Sequence, residues 1–181
     1  ATIESQVGRG TTVQILLPRC LEEQSVREDT IVTQMAPGGD ETGLQRLESP
    51  EITLPVGATT LRLTFDHWVA TEAGYDGGNV KVSVNGGAWK LVAAADFLYN
   101  PYNATLLTAA GGNSNPLAGQ PGFSGSDSGS VSGSWGRSIV NLGAYAQPGD
   151  KVKLRFELGN DGCGGSFGWY LDDVMVYRCT P

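Results

Sequence analysis

Residues 80–92 read Val80-Lys81-Val82-Ser83-Val84-Asn85-Gly86-Gly87-Ala88-Trp89-Lys90-Leu91-Val92. Three valines alternate with polar residues, the period-2 pattern of a strand that buries one face. Asn85-Gly86 follows at once. Both central positions of a tight hairpin turn need positive φ, which Asn and Gly adopt most readily. A second apolar run then returns, so the stretch predicts an antiparallel hairpin.

The same alternation recurs on both sides. Leu61, Leu63 and Phe65 alternate with Arg62, Thr64 and Asp66, and Val152, Leu154 and Phe156 repeat the pattern within 151–158. Residues 11–17, 47–55, 138–142 and 169–177 are further strand candidates, the second bounded by Pro50 and Pro55. No helical period and no repeat emerges. Short strands separated by Gly- and Pro-rich turns predict an all-β, two-sheet antiparallel sandwich. Residues 108–135 are rich in Gly, Ser, Asn and Pro and carry Leu117, Phe123, Val131 and Trp135 as anchors, which predicts a long ordered loop over the sandwich. The charged stretch 20–30 and the break at Pro37-Gly38-Gly39-Asp40 divide the chain into an N-terminal strand and linker, 1–40, and a main domain, 41–181.

Composition narrows the function. The 181 residues include 26 Gly, and the formal net charge is −7 with 12 Lys and Arg against 19 Asp and Glu. That balance argues against nucleic acid or an anionic membrane as partner. No apolar run approaches the ~20 residues of a membrane-spanning helix, so no membrane insertion is expected.

Three cysteines stand at 20, 163 and 179. A Cys163–Cys179 disulfide would close a loop of about 17 residues and contribute on the order of 3 kcal/mol. The alternative is three unrelated thiols. Cys20 is then free or pairs with another chain, and an oxidising, extracellular location fits the pairing best.

From about residue 44 the chain resembles the MAM-like jelly-roll modules attached to secreted bacterial metallopeptidases and surface proteins. The matching pieces are Leu47-Glu48-Ser49-Pro50, Leu63-Thr64-Phe65-Asp66-His67, Glu72-Ala73-Gly74-Tyr75-Asp76-Gly77-Gly78 and Val82-Ser83-Val84-Asn85-Gly86-Gly87. Leu142-Gly143-Ala144-Tyr145, Val152-Lys153-Leu154-Arg155-Phe156 and Gly168-Trp169-Tyr170-Leu171-Asp172-Asp173-Val174 complete them in order. The resemblance implies a jelly roll with a non-catalytic, accessory binding or adhesive role. It also implies a structural Ca²⁺ held by Glu72, Asp76, Asp172 and, on the opposite face of the same strand, Asp173. Ca²⁺ takes six to eight oxygen ligands, and glycine bends such as Gly77-Gly78 would present carbonyls to it.

The N-terminal segment allows another function. Glu4–Pro18 resembles the closing hairpin of a sensor histidine kinase ATPase domain, but one hairpin binds no nucleotide. Its β-rich run, with Thr11, Val13, Ile15 and Leu17 on one face, would instead suit donor-strand completion of a neighbouring copy's sheet, giving a filament or tube. Trp89 and Trp135 are the candidates for stacking on a carbohydrate or protein ligand, and Trp169 is assigned to the core. Lone His67 reads as a hydrogen-bonded strand residue. H-E-x-x-H is missing, and the serines lie in loops without the strand-to-helix elbow of a G-x-S-x-G nucleophile, so no enzyme is expected.

Overall fold

The computed structural model describes residues 2–6, 10–14, 33–35, 42–57, 60–125, 135–163 and 168–179, with side chains from Thr42 to Arg178 within those ranges. The described residues contain fourteen strands, three single 3-10 turns and no α-helix. In chain order the strands are β1 (Thr2–Gln6), β2 (Gly10–Gln14), β3 (Thr33–Met35), β4 (Thr42–Glu48), β5 (Ile52–Thr53), β6 (Thr60–Ala70) and β7 (Gly77–Val84). Then come β8 (Lys90–Leu91), β9 (Phe97–Tyr99), β10 (Ala104–Thr105), β11 (Pro121–Gly122), β12 (Gly136–Asn141), β13 (Lys151–Asp161) and β14 (Gly168–Cys179).

Two antiparallel sheets carry the architecture. One has the order β3-β14-β6-β12-β9, the other β4-β13-β7-β8 with β5 also on β13. Their inner faces share one core. Leu61, Leu63 and Phe65 of β6 meet Val80 and Val82 of β7 and Val152, Leu154 and Phe156 of β13, all nearly inaccessible to solvent. Phe65 and Phe156 touch edge to face across the sheets at 5.3 Å, the T-shaped arrangement that ring quadrupoles favour. The expected hairpin is present: Lys81 opposes Leu91, and the turn residues Asn85 and Gly86 have φ of 51° and 72°.

Between β9 and β12 the chain makes the long excursion predicted from its Gly/Ser content. Leu117 and Phe123 are buried within it, and β10 pairs with β11. Val131 lies outside the described residues. Trp135, just before β12, is 50% exposed.

Two expectations are corrected by strand geometry. The first is the disulfide. Cys163 follows β13 and its thiol is free, whereas Cys179 ends β14 opposite Thr60. The twelve residues of β14 span about 35 Å at ~3.3 Å per residue, and a disulfide needs Cα atoms within about 7 Å. The second concerns Gly77 and Gly78, which are strand residues rather than a bend. A Cβ on Gly78 would overlap the Trp169 ring, and one on Gly77 would lie 2.6 Å from the Phe123 carbonyl oxygen. Of the assembly strand, Thr11 opposes Ser5 and Val13 opposes Ile3 in a hairpin between β2 and β1, and Ile15, Leu17 and Cys20 lie outside the described residues.

Candidate metal centre

One end of the sandwich gathers the crossover from β6 to β7 and the exit of β13. The crossover is a tight turn: the backbone N–H of Tyr75 and of Asp76 both donate to the Glu72 carbonyl, at 3.2 and 3.0 Å. Gly74 supplies a φ of 80°. Ser124, from the long excursion, clamps the turn by donating to the Asp76 carbonyl at 2.6 Å and accepting from the Gly74 N–H at 2.9 Å. Asn113 and Asn115, both buried, donate to the Tyr75 carbonyl at 3.0 and 2.8 Å. The polar residues of the excursion therefore hold this turn.

That clamp places Glu72 and Asp76 beside Asp161, the last residue of β13. The three carboxylates present oxygens within 4.8 Å of one another. Asp76 is only 2% exposed, and its Oδ1 accepts the Asp161 N–H at 2.9 Å. Glu72 Oε2 is buried without a hydrogen-bond partner. Among the described residues no Lys or Arg forms an ion pair with any of the three. Burial, with the neighbouring charges of Asp161 and Glu72, pushes the Asp76 carboxyl up to about 6, against the opposing hydrogen bond from the Asp161 N–H. Three acids held together without a cation, one with an orphaned oxygen, fit a divalent ion. Their donors are all oxygen, which suits a hard cation such as Ca²⁺ rather than zinc.

Asp172 and Asp173 do not join this cluster. Asp172 opposes Asp66 of β6, four positions along β14 from Gly168, about 13 Å at the rise of a strand. A bulge lies between Asp172 and Met175, with Asp173 at φ 46°. It breaks the alternation, since Trp169 and Leu171 point into the core and Val174 and Val176 resume there. Both acids are thereby turned away from the core, and Asp173 sits 3.7 Å from the Arg137 guanidinium. Asp161 was the residue that sequence reasoning passed over. Its one signal is Asn160-Asp161-Gly162 ending an alternating run, a motif that by itself marks only a turn.

The remaining candidates sit apart from the carboxylates. The Arg155 guanidinium lies 3.9 Å above the Trp89 ring centroid, a cation–π contact on the outer face of the β4-β13-β7-β8 sheet. Trp135 is exposed just before β12 of the other sheet. His67 is 5% exposed and bonded to Ser138 Oγ at 2.9 Å, and burial pulls its imidazole down to about 4. It is a neutral core residue. No helix among the described residues is long and apolar enough to cross a membrane. No protein-family model and no curated protein matches the chain.

Proposed function

We propose that this chain is a MAM-like jelly-roll module, a non-catalytic, secreted accessory of a larger extracellular protein, stabilised by one Ca²⁺ at Glu72, Asp76 and Asp161. The observation that carries the metal is the convergence of these carboxylates within 4.8 Å, with the Glu72 oxygen left buried and unpartnered. The strand order supports the jelly roll. Leaving β12 aside, β3-β14-β6-β9 and β4-β13-β7-β8 interleave as two Greek keys do, with β12 inserted between β6 and β9.

Glu72 and Asp76 share one turn while Asp161 lies 85 positions further along the chain, so an ion bound to all three ties the β6–β7 crossover to the end of β13. Only the folded state assembles the site. The ion therefore stabilises by mass action, about 2.7 kcal/mol at a hundredfold excess over Kd.

The test is thermal unfolding in EDTA and in millimolar CaCl₂, for the native chain and for Asp161→Asn. Calcium should raise the native Tm by about 5–10 °C and leave the variant unchanged. Identical transitions in EDTA and calcium would remove the ion from this reading.

A further inference from the structure

The chain is acidic overall, with a net charge of −7, yet its four lysines, Lys81, Lys90, Lys151 and Lys153, all stand on strands of one sheet. Arg46 and Arg155 join them there. Register sets the geometry. Val152, Leu154 and Phe156 point inward, so Lys151, Lys153 and Arg155 point outward. Arg155 lies directly opposite Glu48 of β4 on one side and Lys81 of β7 on the other.

Two carboxylates hold four of these cations in one connected network. Glu157, 1% exposed, binds Arg46 at 2.9 Å, Arg155 at 3.3 Å and also Lys81. Glu48 binds Arg155 at 2.6 Å and Lys153 at 3.3 Å. Glu51 pairs separately with Lys151 at 2.7 Å. Five cations thus stand against three anions, and the face keeps positive charge while its side chains are held in place. Trp89 adds a flat, half-buried indole beside Arg155.

We propose that this outer face of the β4-β13-β7-β8 sheet is a docking surface for an acidic polysaccharide. Charge complementarity selects a polyanion, because cations outnumber anions on this face of a negative molecule and attraction to a polyanion is focused there. The indole selects a saccharide among polyanions, since a pyranose offers a C–H face to stack on the aromatic ring while its carboxylates or sulfates reach Arg46, Lys153 and Arg155. Guanidinium groups already fixed by Glu48 and Glu157 lose little freedom on binding. The proposal rests on the chain being a binding module but not on calcium, so its test is run in EDTA.

Calorimetric titration with chondroitin sulfate at low salt should show binding that weakens steeply as salt is raised, while neutral dextran shows none. Lys151→Gln with Lys153→Gln, both exposed side chains, should weaken binding about tenfold or more without moving the melting temperature. Trp89→Ala should weaken chondroitin sulfate and leave polyglutamate unaffected. The proposal fails if chondroitin sulfate does not bind at low salt, or if the lysine pair changes nothing. Polyglutamate binding as tightly, with Trp89→Ala neutral for both, would overturn it in favour of an acidic polypeptide. Salt-sensitive self-association in sedimentation would overturn it in favour of a second copy. A missing calcium shift with polysaccharide binding intact would remove the metal and leave this surface standing.

Discussion

The indole N–H of Trp169 points at Nδ1 of His67, 3.2 Å away in the core. An indole can only donate, so Nδ1 accepts and the imidazole proton sits on Nε2. That nitrogen donates to Ser138 Oγ at 2.9 Å, and the hydroxyl passes its own hydrogen to the Asn100 carbonyl at 2.8 Å. One chain of donors therefore runs from β14 through β6 to β12 and on to the residue after β9. Nitrogen-15 NMR should find His67 as the neutral Nε2–H tautomer at pH 7. Trp169→Phe, which removes the donor and leaves Nδ1 buried and unsatisfied, should cost about 3 kcal/mol or more.

The pH dependence of the metal-free protein follows from two opposed groups. His67 falls from 6.5 to about 4 on folding through burial, so the unfolded chain takes up its proton first. Stability from this group is complete above pH 6.5 and is lost as pH falls toward 4, by up to about 3 kcal/mol. Asp76 rises from 3.8 to about 6. Here the folded state binds the proton first, so stability is lost as pH rises through 4 to 6. The two slopes oppose each other across that window. In EDTA the native Tm should change little between pH 6 and 4.5, whereas Asp76→Asn should lose stability steeply over the same range. Parallel curves would contradict the assignment.

Calcium should reverse the sense of the Asp76 titration. The ion requires the carboxylate, so affinity must fall as pH drops below about 6. Asp76→Asn should raise the Tm in EDTA by relieving repulsion from Glu72 and Asp161, and should abolish the calcium response. Fluorescence or calorimetric titration at pH 7.5 and 5 measures both effects.

Gly78 has no side chain because the Trp169 ring occupies that space, with the Glu157 carbonyl also 2.9 Å from where a Cβ would lie. Gly78→Ala should destabilise by at least 1–3 kcal/mol as an overpacked core does. Gly143→Ala meets only Asn141 Oδ1 at 3.4 Å and should fall within about 0.5 kcal/mol of the native protein. Urea unfolding compares the two directly.

The two charge networks should differ in weight. Glu157 is buried beneath three cations, and Glu157→Ala should cost about 3 kcal/mol because it strips Lys81 and Arg155 of their shared anion. Asp66 pairs with Arg137 through two hydrogen bonds of 2.6 and 2.8 Å at the surface. Solvent screens that pair, so Asp66→Ala should cost no more than about 1 kcal/mol. Chemical denaturation of the two variants tests the ranking.

Local pattern was enough to define the strands. Leu61, Leu63 and Phe65, Val80 and Val82, and Val152, Leu154 and Phe156 all face the core as their alternation requires, because a strand's side-chain period is a property of the strand itself. Asn85-Gly86 likewise carried its turn, since the positive φ values are a demand of two adjacent residues. Glu72 and Asp76 were legible as a pair for the same reason, being four residues apart across one turn.

What lay beyond the sequence was pairing between distant segments. Asp161 reaches Asp76 only because β13 lies antiparallel to β7, a contact between residues 85 positions apart. The bulge at Asp172–Met175 turned away the acids that the sequence favoured, and the length of β14 separated two cysteines only sixteen positions apart. The glycine at 78 records a ring from the last strand that no local rule contains. Alternation and turn chemistry act over two to four residues, so the sequence by itself determined an all-β chain and its core faces. Register between strands is a long-range property, and it alone decided which carboxylates, cations and rings meet.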